Sequence, residues 1–130
     1  MRTEVMSMTN KSFMFLDSVI EDDESRYVAA LREKMDSKDM LLGELSGKLK
    51  MPKYFGNNWD GLYDMLCDLS WIKERVVVIF HADLPRLPPI DMSSYLRLLA
   101  ESAENWKPHE NHELIIAFPK GYEVAVASYL

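Results

Sequence analysis

The hexapeptide RVVVIF, residues 75–80, is a β-branched run with no alternation of apolar and polar positions. A strand with one wet face alternates, whereas a strand covered on both faces, as in a parallel sheet, does not. RVVVIF therefore reads as a central strand. A second run of the same kind, ELIIAF at 113–118, lies downstream of an amphipathic stretch. Between the two, after the proline-rich loop ADLPRLPPI, the spacing predicts a helix from about Met92 to Trp106. It turns Leu96, Leu99, Ala103 and Trp106 toward the core and Arg97, Glu101 and Glu104 outward. Strands separated by helices imply right-handed crossovers, and so a small α/β layer with a mainly parallel sheet.

Upstream, RYVAAL at 26–31 is another strand candidate and SFMFLDSVI at 12–20 a shorter one. The acidic IEDDES reads as a loop between them, which would join the two as a hairpin-like addition. A helix can begin at Ser37, whose hydroxyl can accept from the free amides of a first turn, and Leu41, Leu42, Leu45 and Leu49 then fall along one side. Gly43 and Gly47 weaken that helix by up to about 1 kcal/mol each relative to alanine. Pro52 ends it. The closing GYEVAVASYL fits a short helix or an edge strand.

The chain has 130 residues, 48% hydrophobic and 28% charged, which is the length and composition of one globular domain. Its first twenty residues hold only a short apolar cluster, Phe13 to Leu16, so neither a secretory signal nor a membrane span is expected, and the cytoplasm is the expected location. The single cysteine, Cys67, has no partner for a disulfide and offers no zinc cluster, and reads as a small core or surface thiol. The nine methionines read mainly as core filling. A formal net charge of −6 argues against a phosphate-binding surface, and hence against nucleic acid, in favour of a cationic partner.

That acidity is concentrated. Between Lys53 and Lys73 lie Asp60, Asp64 and Asp68 and no lysine or arginine. In KYFGNNWDGLYDML, residues 53–66, a helix is predicted to start at Asn57 or Asn58, either of which can cap it after Gly56. Leu62, Met65, Leu66 and Leu69 then share the core side, while Asp60 and Asp64 lie about 40° apart on the solvent side, flanked by Tyr63 and continued by Asp68. Like charges at that spacing repel by roughly 0.2–0.5 kcal/mol, so their placement calls for a reason.

Catalysis is a poor reason, because paired acid and base carboxylates need environments that separate their pKa values, and a solvated helix face buries neither. Metal binding is no better, since carboxylates a full turn apart on a rigid rod do not converge on one ion. Neither a metal nor another cofactor is expected. His81, His109 and His112 lack the HExxH spacing and read as loop or surface residues, and no GxGxxG, GxxxxGK[ST] or GxSxG sequence occurs. What remains is recognition of a basic protein surface. Aspartates near a helix N-terminus are tolerated in the free protein and gain when arginines or lysines arrive.

The segment MPKYFGNNWDGLYDML resembles the barstar family of intracellular ribonuclease inhibitors. Pro52, Tyr54, Gly56, Asn58, Asp60, Leu62, Asp64 and Leu66 fall on the family pattern without a gap, and a weaker similarity extends over roughly residues 26 to 118. The resemblance implies a three-stranded parallel sheet packed by helices, no catalysis, and a non-enzymatic role in plugging the active site of a cognate ribonuclease toxin. It implies that Asp64 and Asp60 enter the basic cleft, with Tyr54 and Asn58 as loop contacts and Glu101 contributing from the later helix. Tyr63 and Asp68, on the same acidic stripe, complete the expected partner-binding set. Tyr63 stands where the family prototype has tryptophan, which keeps an aromatic edge, while Leu69 replaces another aromatic near the helix end. Residues 1–25 have no counterpart there, so the chain is expected to divide into an N-terminal extension with a possible added strand, 1–25, and a barstar-like domain, 26–130. A regulatory module that binds a basic partner other than a nuclease is the alternative on the same face.

Overall fold

Strand β3, Val76–His81, has a neighbour on each side in the sheet and is buried from Val77 onward, which is why its sequence does not alternate. The computed structural model describes residues 13–18, 20–53 and 55–130. Among them, β1 (Phe13–Leu16), β2 (Arg26–Leu31), β3 and β4 (Glu113–Pro119) form one all-parallel sheet in the order β1-β4-β3-β2. Val78 sits between Val28 and Ile115, and Phe13 lies beside Ile116. This is the expected α/β layer with one added N-terminal strand.

Alternate residues of the strands face opposite layers. Val77, Ile79, Leu114, Ile116 and Phe118 belong to the main core, which also takes Leu41, Leu42 and Leu45 of α1 (Lys38–Lys48), Leu62, Met65 and Leu66 of α2 (Trp59–Asp68), Leu96 and Leu99 of α3 (Pro89–Asn105) and Val126 of α4 (Glu123–Ala127). Each fully buried leucine stabilises by about 1.5–3 kcal/mol, so this shared apolar layer holds the helices far more firmly than their intrinsic propensity could. Val78, Phe80 and Ala117 form a smaller cluster of the opposite parity, with Leu16, Ile20, Val28, Val76 and Ile115 against it.

The hairpin expected between the first two strands does not exist. β1 and β2 lie at opposite edges and run parallel, so the chain between them crosses the sheet on the face away from the helices, where Ile20 packs on the smaller cluster. What draws β1 to β4 is aromatic: the rings of Phe13 and Phe15 lie 5.7 and 5.9 Å from that of Phe118. This crossing reverses both the direction of travel and the face used by the helical crossovers, and therefore has the same hand.

At the other edge, β2 is closed by carboxylates. Asp22 Oδ1 accepts the Val28 amide at 2.6 Å and Glu44 Oε2 accepts the Arg32 amide at 2.9 Å. These outward N–H groups would otherwise offer a template for a further strand.

Local signals account for the helix ends. Ser37 Oγ accepts from the Met40 amide at 3.1 Å, as predicted, and Leu49 closes α1 fully buried. Helix α3 begins three residues before the predicted Met92, because Pro89 occupies its first position, where a missing N–H costs nothing. GYEVAVASYL folds as α4, and Ser93 Oγ of α3 donates to the Tyr129 carbonyl just beyond it at 2.8 Å.

The reading of the histidines as loop or surface residues holds for His109 and for His112, which lies in the loop before β4, but not for His81, which belongs to β3. His81 and His112 are buried. His81 ends β3 with Nδ1 3.0 Å from the Ala117 carbonyl, Nε2 2.7 Å from the Tyr95 hydroxyl, and its ring stacked on Phe118 at 4.1 Å. His112 packs edge-on against Trp106. Burial of His81 is tolerated because both nitrogens are satisfied, by partners from β4 and α3 that are distant in sequence, whereas His112 Nδ1 is buried without a hydrogen-bond partner among the described residues.

Candidate functional site

The turn before α2 uses both asparagines. Asn57 takes the left-handed conformation, φ 54°, which asparagine tolerates better than most residues, and Asn58 is the cap, its Oδ1 accepting from the Gly61 amide at 2.6 Å. Gly61 suits this geometry, since a Cβ there would stand a tight 3.0 Å from Asn58 Oδ1 and 3.4 Å from both the Gly56 nitrogen and the Phe55 ring. The predicted core side of α2 is confirmed, with Leu62, Met65, Leu66 and Leu69 all buried.

Asp60, Asp64 and Asp68 are exposed on the other side of the helix, and Tyr63 and Cys67 are half-buried between. Burial pushes the Cys67 thiol up, which keeps it protonated and unreactive. Asp60 stands in the first turn, where the helix dipole favours a negative charge. Asp68 stands at the last residue and accepts from Ser70 Oγ at 3.3 Å.

Helix α3 is fixed beside α2 by two indoles. Trp59 Nε1 donates to Asp91 Oδ1 at 3.3 Å near the start of both helices, and Trp106 Nε1 donates to the Leu66 carbonyl at 2.9 Å near their ends. The Trp59 ring is wedged further, 5.7 Å from that of Tyr95 and with Lys38 Nζ 5.0 Å from its centroid. The two helices enclose an open groove of about 650 Å³. Asp60, Tyr63 and Asp64 line one wall, and Ser94, Arg97, Leu98 and Glu101 the other, with Trp59 at the end.

Of the residues singled out from the sequence, the groove therefore gathers Asp60, Tyr63, Asp64 and Glu101. Asn58 is exposed at the start of α2 with its side chain engaged in capping, Asp68 lies outside the groove lining, and Tyr54 lies outside the described residues. Trp59, Ser94, Arg97 and Leu98 were not singled out as site residues. The last three share with Glu101 the spacing of a single helical stripe, which is the signal that marks them. Among the described residues, no ion pair within 4.0 Å involves Asp60, Asp64, Asp68, Glu101 or Arg97. Nor, among them, does any group of three acidic, histidine or cysteine side chains converge as a metal site, and no helix is long and apolar enough to cross a membrane.

A protein-family model, Barstar (barnase inhibitor), matches residues 26–118, from the first residue of β2 to near the end of β4. The chain belongs to the barstar family. No curated protein and no solved structure gives a significant match. The barstar match includes α2, α3 and the whole α2–α3 groove, while β1 and α4 fall outside it. In this barstar-family chain the match thus covers the elements that carry the acidic stripe.

Proposed function

We propose that this chain inhibits a basic ribonuclease by seating the α2–α3 face in the cleft where the enzyme holds RNA. The observation that carries the reading is the convergence of Asp60, Asp64 and Glu101 on one groove without a compensating ion pair from the described residues. A cleft that binds a polyanion must be positive, so an anionic surface is both steered into it and held there. Asp64, on the α2 wall of the groove, takes the central position among the enzyme's cations. Asp60 acts one turn earlier, Glu101 from the facing helix, and Tyr63 supplies an aromatic contact of the kind that anchors interfaces. Tyr54, Asn58 and Asp68 extend the contact along the turn and the far end of α2.

Inhibition here is occlusion, with no bond made or broken. The setting that fits is a cytoplasmic immunity protein protecting its own cell from a cognate ribonuclease toxin. The test is RNA cleavage by barnase, and by any ribonuclease encoded beside this gene, with and without the purified chain. Stoichiometric loss of cleavage with either enzyme supports the reading. Full cleavage by both, with no complex on size exclusion, removes it.

A further inference from the structure

Among the described residues Arg97 is the one cation lining the groove, and a plug designed only for a positive cleft would not put a guanidinium there. Arg97 is exposed on α3, on the stripe that carries Ser94 and Glu101, and it shares the groove with Asp60 and Asp64 of the opposite wall. Three carboxylates therefore share the groove with it, yet none lies within 4.0 Å. The nearest in sequence, Glu101, follows it by four residues, and an i,i+4 pair with the acid on the C-terminal side is the weaker of the two orientations. In the free protein an exposed, unpaired guanidinium costs little. Covered by a partner it loses water, and an all-cationic surface would then repel it.

Building on the ribonuclease reading above, we propose that the partner's cleft presents a carboxylate opposite Arg97, which makes Arg97 a specificity-determining residue of the interface. The chemistry of RNA cleavage supplies the reason. A nuclease cleft needs cations to hold phosphate, but cleavage also needs a proton acceptor, so a carboxylate set among arginines and lysines is a natural composition for it. The groove mirrors that composition, with acids for the cations and one arginine for the acid. A guanidinium also suits the task geometrically, because its planar fork pairs with a carboxylate through two parallel hydrogen bonds.

The sign of the mutational effect decides the matter. Binding and dissociation rates are measured by surface plasmon resonance for wild type, Arg97→Ala, Arg97→Glu and Arg97→Lys, with barnase and the neighbouring-gene ribonuclease as probes. If the carboxylate is there, Arg97→Ala weakens the complex at least tenfold and Arg97→Glu at least tenfold again, while Arg97→Lys recovers part of the loss. The losses fall on dissociation, whereas association of Arg97→Glu is unchanged or faster because the face has become more negative. Neutralising the partner's acid to its amide must then abolish the difference between wild type and Arg97→Ala. Complexes of Arg97→Ala and Arg97→Glu as tight as wild type, or tighter, overturn the inference while leaving the ribonuclease reading intact. Wild type that binds neither probe removes both. Unchanged thermal unfolding of all three variants excludes a folding defect, as expected for an exposed side chain.

Discussion

Tyr95 on α3 and His81 at the end of β3 meet at 2.7 Å, hydroxyl to Nε2, in a fully buried pair whose other nitrogen faces the Ala117 carbonyl. The carbonyl can only accept, so Nδ1 carries the proton and Nε2 accepts from Tyr95. Burial pushes the His81 pKa down to about 4, partly opposed by the Ala117 bond. The unfolded chain takes up this proton near pH 6.5, so stability is complete above about 6.5 and is lost as the pH falls toward about 4, by up to ~1.4 kcal/mol per pH unit. Urea unfolding at pH 7, 6 and 5 checks this: the slope should be present in wild type and absent in His81→Gln, whatever that variant's absolute stability. Tyr95→Phe, which leaves Nε2 buried without its donor, should cost about 1–3 kcal/mol at pH 7.

Asp64→Ala should separate binding from folding. The side chain is exposed and has a like charge one turn earlier, so its removal leaves the melting temperature unchanged or relieves about 0.2–0.5 kcal/mol of repulsion. The same change should weaken the ribonuclease complex by about 2 kcal/mol or more, the threshold that marks interface hot spots in general. Calorimetric melting beside inhibition titration reads both. Lost stability with unchanged inhibition would mean that Asp64 serves the fold.

Gly43 sits inside α1, and a Cβ there would meet nothing within 4 Å. Gly43→Ala should stabilise by up to about 1 kcal/mol, seen as a higher urea midpoint with an unchanged slope.

Removing the carboxylates that close the β2 edge should expose a strand to other chains. Asp22→Ala and Glu44→Ala each take away an acceptor for an outward amide, at a cost of about 0.5–1.5 kcal/mol. The double variant should show concentration-dependent association by sedimentation, through strand pairing at that edge. A monomer at all concentrations would show that other features protect the edge.

Periodicity made some of this legible in advance and left the rest hidden. The leucines of α2 and the unbroken apolar run of β3 could be read because burial on a helix or a central strand leaves a pattern within ten residues. The exposed aspartates followed as the complement of that pattern. The partner of β1 could not be read, since Phe13 and Phe15 select Phe118 from the far end of the chain. Nor could the burial of His81, because its hydrogen-bond partners belong to β4 and α3. Asn57 and Asn58 were ambiguous because asparagine suits both a cap and a left-handed turn, and the chain assigns one to each. Arg97 was correctly placed outward, but outward from α3 is also toward α2, which only the packing of the two helices reveals.

The aromatic attachment of β1 to β4 sets an order on biosynthesis. The first of the described strands has no neighbour to pair with until β4 has been made, so β1 must stay unpaired while the helices and the other described strands gather. Docking of Phe13 and Phe15 then reports that β4 is in place, and a product truncated before Phe118 would betray itself by an unseated β1 open to proteases.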